Sequence, residues 1–144
     1  MSQLVVHQIV PTDVIDVVAT HPETGRPVRR TTWSGMVAVA PDVDGEAVDG
    51  AVSVFLPDSR PFPKLAMTGV RVAARAALAG VPPTVADGAR LEVERASATI
   101  SPDPRGDDHA WIELHLQVRA AGLRADAPWR LAYQVDLVVP HRPA

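Results

Sequence analysis

The chain has 144 residues, 47% of them hydrophobic and 22% charged, with no cysteine and a net charge of −3. That length and balance describe one globular domain and exclude an intrinsically disordered chain. The lack of cysteine excludes disulfides and thiolate metal sites. Of the 14 basic residues only Lys64 is lysine and the others are arginine. Guanidinium groups suit phosphate recognition, but Arg, Ala, Gly, Pro and Val are abundant together, as in a GC-rich genome, which explains the bias without a ligand. The start, MSQLVVHQIVPTD, has no basic leader, and Pro11 interrupts its apolar stretch. The apolar run from Met36 to Pro41 falls far short of the roughly 20 residues of a membrane helix. A cytoplasmic or particle-associated protein without a membrane partner is the expectation.

Fourteen prolines punctuate the chain, mostly between apolar segments of strand length. This spacing predicts an all-β domain, an OB-like barrel or a β-sandwich of about eight short antiparallel strands. In chain order the predicted strands are 3–10, 13–20, 28–40, 50–57, 68–79, 89–100, 110–120 and 129–139. Segment 68–79 has the Ala content of a helix, with Arg71 and Arg75 one turn apart. Its alternation also suits a strand, with Val70, Val72, Ala74, Ala76 and Leu78 on one face. The short connections around it favour the strand. The clearest alternation lies near the end, where Ala110, Ile112, Leu114, Leu116 and Val118 face one way and His109, Trp111, Glu113, His115 and Gln117 the other. The last strand repeats it with Trp129, Leu131, Tyr133, Val135, Leu137 and Val139. Gly122 and Pro128 between these two segments suggest that they pair as an antiparallel hairpin. No repeat or linker divides the chain, so residues 1–144 read as one domain.

Motifs for chemistry are sparse. The segment 41–50 carries Asp42, Asp44, Glu46 and Asp49, but its Gly45 and Ser53 fall where a calcium loop of the EF-hand type needs other spacing. An acidic hairpin tip is the reading. The Arg105-Gly106-Asp107 triplet sits in a polar run, 101–109, read as a solvated loop. His109, Glu113 and His115 share one strand face without a further ligand to complete a zinc site, so an exposed polar face is preferred over a metal. There is no nucleophile elbow or phosphate loop, and Ser34, Ser53, Ser59, Ser97 and Ser101 have no base partner legible in the sequence. No enzyme, cofactor or metal is expected.

Arg29, Arg30 and Trp33, in RPVRRTTWSG, remain. Basic residues leading into an aromatic on a strand are what single-strand nucleic-acid binders use, with guanidinium groups on phosphates and a ring stacking a base. Alternation instead groups Trp33 with Val37 and Val39 as core, unless a bulge at Ser34-Gly35 turns it outward.

The succession HPETGRPV (21–28), a Trp-bearing strand with MVAVA, VSVFLP (52–57), TGVRVAARAALAGV (68–81) and DGARLEVERASATISP (87–102) resembles the small OB-fold, single-stranded-DNA-binding-like proteins of actinobacterial plasmids and integrative elements. It spans about residues 4–102. It implies a five-stranded barrel binding single-stranded nucleic acid across its second and third strands, through Arg29, Arg30, Trp33 and Phe55, with Arg71 and Arg75 flanking. Residues 109–140 would then be an additional C-terminal hairpin, available for self-association. The competing expectation is a structural β-sandwich, such as a phage or particle decoration subunit, binding protein subunits through edge strands and loops. A third is a small-ligand barrel with an apolar cavity.

Overall fold

The computed structural model describes residues 3–45, 47–56, 62–63, 71–82, 85, 87–102 and 109–140. The Arg105-Gly106-Asp107 triplet, Glu46, Ser59 and most of the Pro-rich 57–63 segment lie outside them. The elements are β1 (Leu4–Thr20), β2 (Pro27–Pro41), β3 (Val48–Phe55), β4 (Phe62–Pro63), β5 (Arg71–Gly80), β6 (Arg90–Pro102), β7 (His109–Ala121) and β8 (Trp129–Pro140). A long sheet runs β1-β2-β8-β5, and a short sheet has β7 at its centre between β3 and β6, with β4 as a two-residue addition. All pairings are antiparallel. The described residues therefore form an all-β sandwich of seven substantial strands, four facing three. Among the described residues the ladder does not close, which corrects the barrel alternative.

The core is the product of strand alternation on two facing sheets. The long sheet contributes Trp33, Val37, Val39, Trp129, Leu131, Tyr133, Val135 and Leu137, and the short sheet Val52, Leu91, Ile112, Leu114, Leu116, Val118 and Ala120. Residues 71–80 form a strand, with Val72, Ala74 and Ala76 turned toward this core. Between β7 and β8, Leu123 is 2% exposed and plugs one end, and the Gly45 amide donates to its carbonyl.

Three expectations are corrected. First, β7 and β8 do not pair with each other. Each is central to a different sheet, β8 between β2 and β5 and β7 between β3 and β6. The 122–128 connection crosses between sheets, with Gly122 at φ 72° making the bend. Second, 3–10 and 13–20 are one 17-residue strand, and Pro11 does not end it. β1 is an edge strand, where a missing amide costs little, and register shifts at Val6/Gln8 and Pro11/Asp13 absorb the irregularity. Third, 42–47 is not a hairpin tip, because β2 and β3 lie in different sheets. Its aspartates instead anchor neighbouring backbone: Asp42 Oδ1 accepts from the Gln3 amide at 2.7 Å and Asp44 Oδ1 from the Ala125 amide at 2.6 Å.

Candidate binding surfaces

The sequence-predicted residues do not converge on one face. Register across β2 and β8 is continuous from 28 to 39, so no bulge forms at Ser34-Gly35. Trp33 consequently points inward, 7% exposed, opposite Val135. This corrects its expected role as a stacking platform, since a ring packed in the core offers no face to a base. Arg29 and Arg30, adjacent on a strand, point to opposite faces. Phe55, 55% exposed, is on β3 in the other sheet. The face expected across the second and third strands therefore does not exist as one surface.

What does gather is Arg30, Arg71 and Arg75 on the outer face of the long sheet. Arg30 and Arg71 both lie opposite Val138 from the two sides, which sets their backbones about 10 Å apart, two strand spacings. Arg30 pairs with Asp136 at 3.3 Å, and Arg75 donates to Gln134 Oε1 at 2.7 Å. Arg130 lies on the same face nearer the other end, opposite Ala38 and Gly80. An open depression of about 400 Å³ beside Arg75 is floored by Ala77, Ala132 and Gln134 and rimmed by Ser34 and Met36.

The outer face of the short sheet carries a contact that the sequence did not disclose. Ser53 on β3, His115 on β7 and Thr99 on β6 come together, with the Ser53 hydroxyl 2.9 Å from Nδ1 and the Thr99 hydroxyl 2.8 Å from Nε2. A hydroxyl can donate or accept, so both ring nitrogens find a partner across three strands in either tautomer. The partners are 62 and 16 residues away, and only strand register brings them together. The arrangement has a serine beside a base, but a hydroxyl stands where an orienting carboxylate would be. Ser53 sits mid-strand in regular register with β7 rather than in an anion-binding turn. Of the expected His109, Glu113 and His115 set, the His109 side chain lies outside the described residues. Among the described residues no group of three or more His, Asp or Glu is placed to hold a metal.

The third surface is the outer edge of β1, which among the described residues pairs with β2 alone. Val5, Val10, Val14, Ile15, Val17 and Val18 are each 42–57% exposed along it. Val14 and Val18 face the short sheet's side and Ile15 and Val17 the other, so residues 13–20 expose aliphatic groups on both faces. Between them Asp16 binds Arg29 through two Nε–H bonds of 2.9 and 3.1 Å and an Nη2 contact, and Thr31 Oγ1 donates to it at 3.3 Å. The hydrogen bonds from Arg29, with its charge and a further bond from Thr31, hold the Asp16 carboxyl below the ordinary aspartate range against the opposing effect of burial. Among the described residues no helix is long and apolar enough to cross a membrane. No family model, curated protein or solved structure matches the chain.

Proposed function

We propose that the protein is a non-enzymatic binding module of the structural or assembly class, which takes a partner polypeptide along the free edge of β1. One observation carries the reading. A 17-residue edge strand leaves six large aliphatic side chains exposed and carries no lysine or arginine to discourage pairing. Edge strands with those properties recruit other strands unless they are bulged, charged or covered. A photo-crosslinking amino acid at position 15, installed in the protein expressed in its native host, tests it. Protein adducts at position 15 that are missing when the same group replaces Leu78, an equally exposed residue on β5, support an edge that binds protein. Equal or absent adducts at both positions sink it.

A second reading keeps the nucleic-acid expectation, moved to a different face. Arg30, Arg71 and Arg75 share the outer face of the long sheet, where they can follow a phosphate backbone. It is supported by that grouping and by the resemblance of residues 4–102 to OB-fold single-strand binders. Fluorescence anisotropy with labelled single-stranded oligonucleotides at two salt concentrations separates the readings. Binding that weakens with salt and falls in R71A/R75A favours nucleic acid, and its absence at low salt leaves the protein-binding edge.

A further inference from the structure

The sandwich has four potential edges, and they are not equally available. β5 and β6 lie against each other on one side, so the two sheets cover each other's edges there. On the other side are β3 and β1. β3 has eight residues, includes Gly50, and carries Asp49, which accepts from Gln117 and pairs with Arg119. In β1 both register shifts and the proline fall between residues 6 and 13. The bulges and the proline that blunt an edge are thus in its first half, and the second half keeps only the charges of Asp13 and Asp16, the latter paired with Arg29. Residues 13–20 run in unbroken register against 34–27 and carry four exposed aliphatic side chains, Val14, Ile15, Val17 and Val18.

We propose that a second copy of this chain occupies that edge, with residues 14–20 of the two copies pairing antiparallel about a two-fold axis through Val17, so that the four-stranded sheet continues across both. The proposal rests on the reading of β1 as a partner edge and specifies the partner. Opposed residues in an antiparallel pair share a face, and faces alternate, so a two-fold axis must pass through a residue position rather than between two. Centring on Asp16 places Asp16 against its own copy. Centring on Ile15 or Val18 leaves only five residues in regular pairing before the bulge or the turn. Centring on Val17 opposes Ile15 with Ala19, Asp16 with Val18 and Val14 with Thr20. Every acid then faces an aliphatic group, and Arg29 of the same copy already neutralises Asp16. An interface of seven residues a side is smaller than the roughly 1,200–2,000 Å² of stable complexes. The dimer is therefore weak and concentration-dependent, with a dissociation constant on the order of 10 µM to 1 mM.

Because the chain has no cysteine, a single introduced thiol reports cleanly. Directly opposed residues have Cα atoms about 4.5–5.5 Å apart, within disulfide range. V17C should form a covalent dimer under mild oxidation at least tenfold faster than V5C, whose site lies in the bulged half. Wild-type protein should sediment with a monomer–dimer equilibrium that V17K shifts at least tenfold toward monomer. Each variant is first checked for wild-type melting in reducing buffer, and I15K serves if V17K is unfolded. Equal oxidation of V17C and V5C, with wild type monomeric at about 1 mM, overturns the proposal. If the position-15 crosslinks then still attach to a different protein, the edge reading stands and only the second copy falls. If they attach to nothing, both fall.

Discussion

The two halves of β1 are one continuous, aliphatic-rich strand, yet they occupy different environments. In the first half Leu4, Val6 and Ile9 pack against the core. In the second half Val14 and Val18, on that same face, are 42% and 57% exposed. Aliphatic content on that face does not make the difference, since both halves carry it there. The facing sheet does: β3 has eight residues against the 17 of β1. Apolar surface is stabilising only where something covers it, so the second half is the part of the molecule with stability still to gain from a partner.

The largest expected effect tests whether burial really divides the molecule this way. Leu114, fully buried at the centre of β7, should cost about 2–5 kcal/mol when replaced by alanine. Val18→Ala should change monomer stability by less than about 0.5 kcal/mol, as surface substitutions do. Urea denaturation of both variants at micromolar concentration measures this. A Val18→Ala cost above about 1 kcal/mol would mean that the face is covered in solution, and the contrast between the halves would break.

An intermediate effect probes the point where the halves meet. A Cβ on Gly35 would come within 2.6 Å of the Val10 carbonyl oxygen and collide with the Tyr133 ring, which lies across the glycine. Here the strand needs glycine for close approach, not for an unusual φ. Gly35→Ala should destabilise by about 1–3 kcal/mol, the range for overpacking, by thermal denaturation. Gly35→Ala combined with Tyr133→Phe should recover little, because the backbone oxygen remains in place.

Much of the fold was legible, and the reason for the rest is specific. Alternation in β7 and β8 correctly placed Ile112, Leu114, Leu131 and Val135 inside. A period of two reports which face is covered but not which strand lies alongside, so two adjacent, well-patterned strands looked like a hairpin. Trp33 followed its alternation into the core, and the arginine pair split because neighbours on a strand diverge. Pro11 misled as a strand breaker because its edge position, which makes it tolerable, is a property of the sheet. The Ser53–His115–Thr99 bridge had no local signal at all, being assembled by register across three strands. Surfaces made by pairing are visible only after pairing is known.

The smallest effect concerns what holds the open half of β1 in place of a core. Asp16, fixed by Arg29 and Thr31, is the polar tie across the hairpin, and its folded carboxyl sits below the unfolded value of about 3.9. A depressed folded pKa contributes stability that is fully present above the unfolded value and is lost as pH falls through the folded one. Both side chains are largely exposed, at 59% and 38%, so solvent screens the pair to about 0.2–1 kcal/mol. Asp16→Asn should therefore lower the melting temperature by no more than about 4 °C at pH 7. The gap to wild type should narrow as pH falls below the unfolded value and close once the folded carboxyl is itself protonated. Amide exchange should localise the change to residues 14–20 and leave 4–9 untouched, because only the uncovered half depends on the ion pair. A loss spread evenly along β1 would show that its two halves open as one unit, and the second half would then owe its order to the core after all.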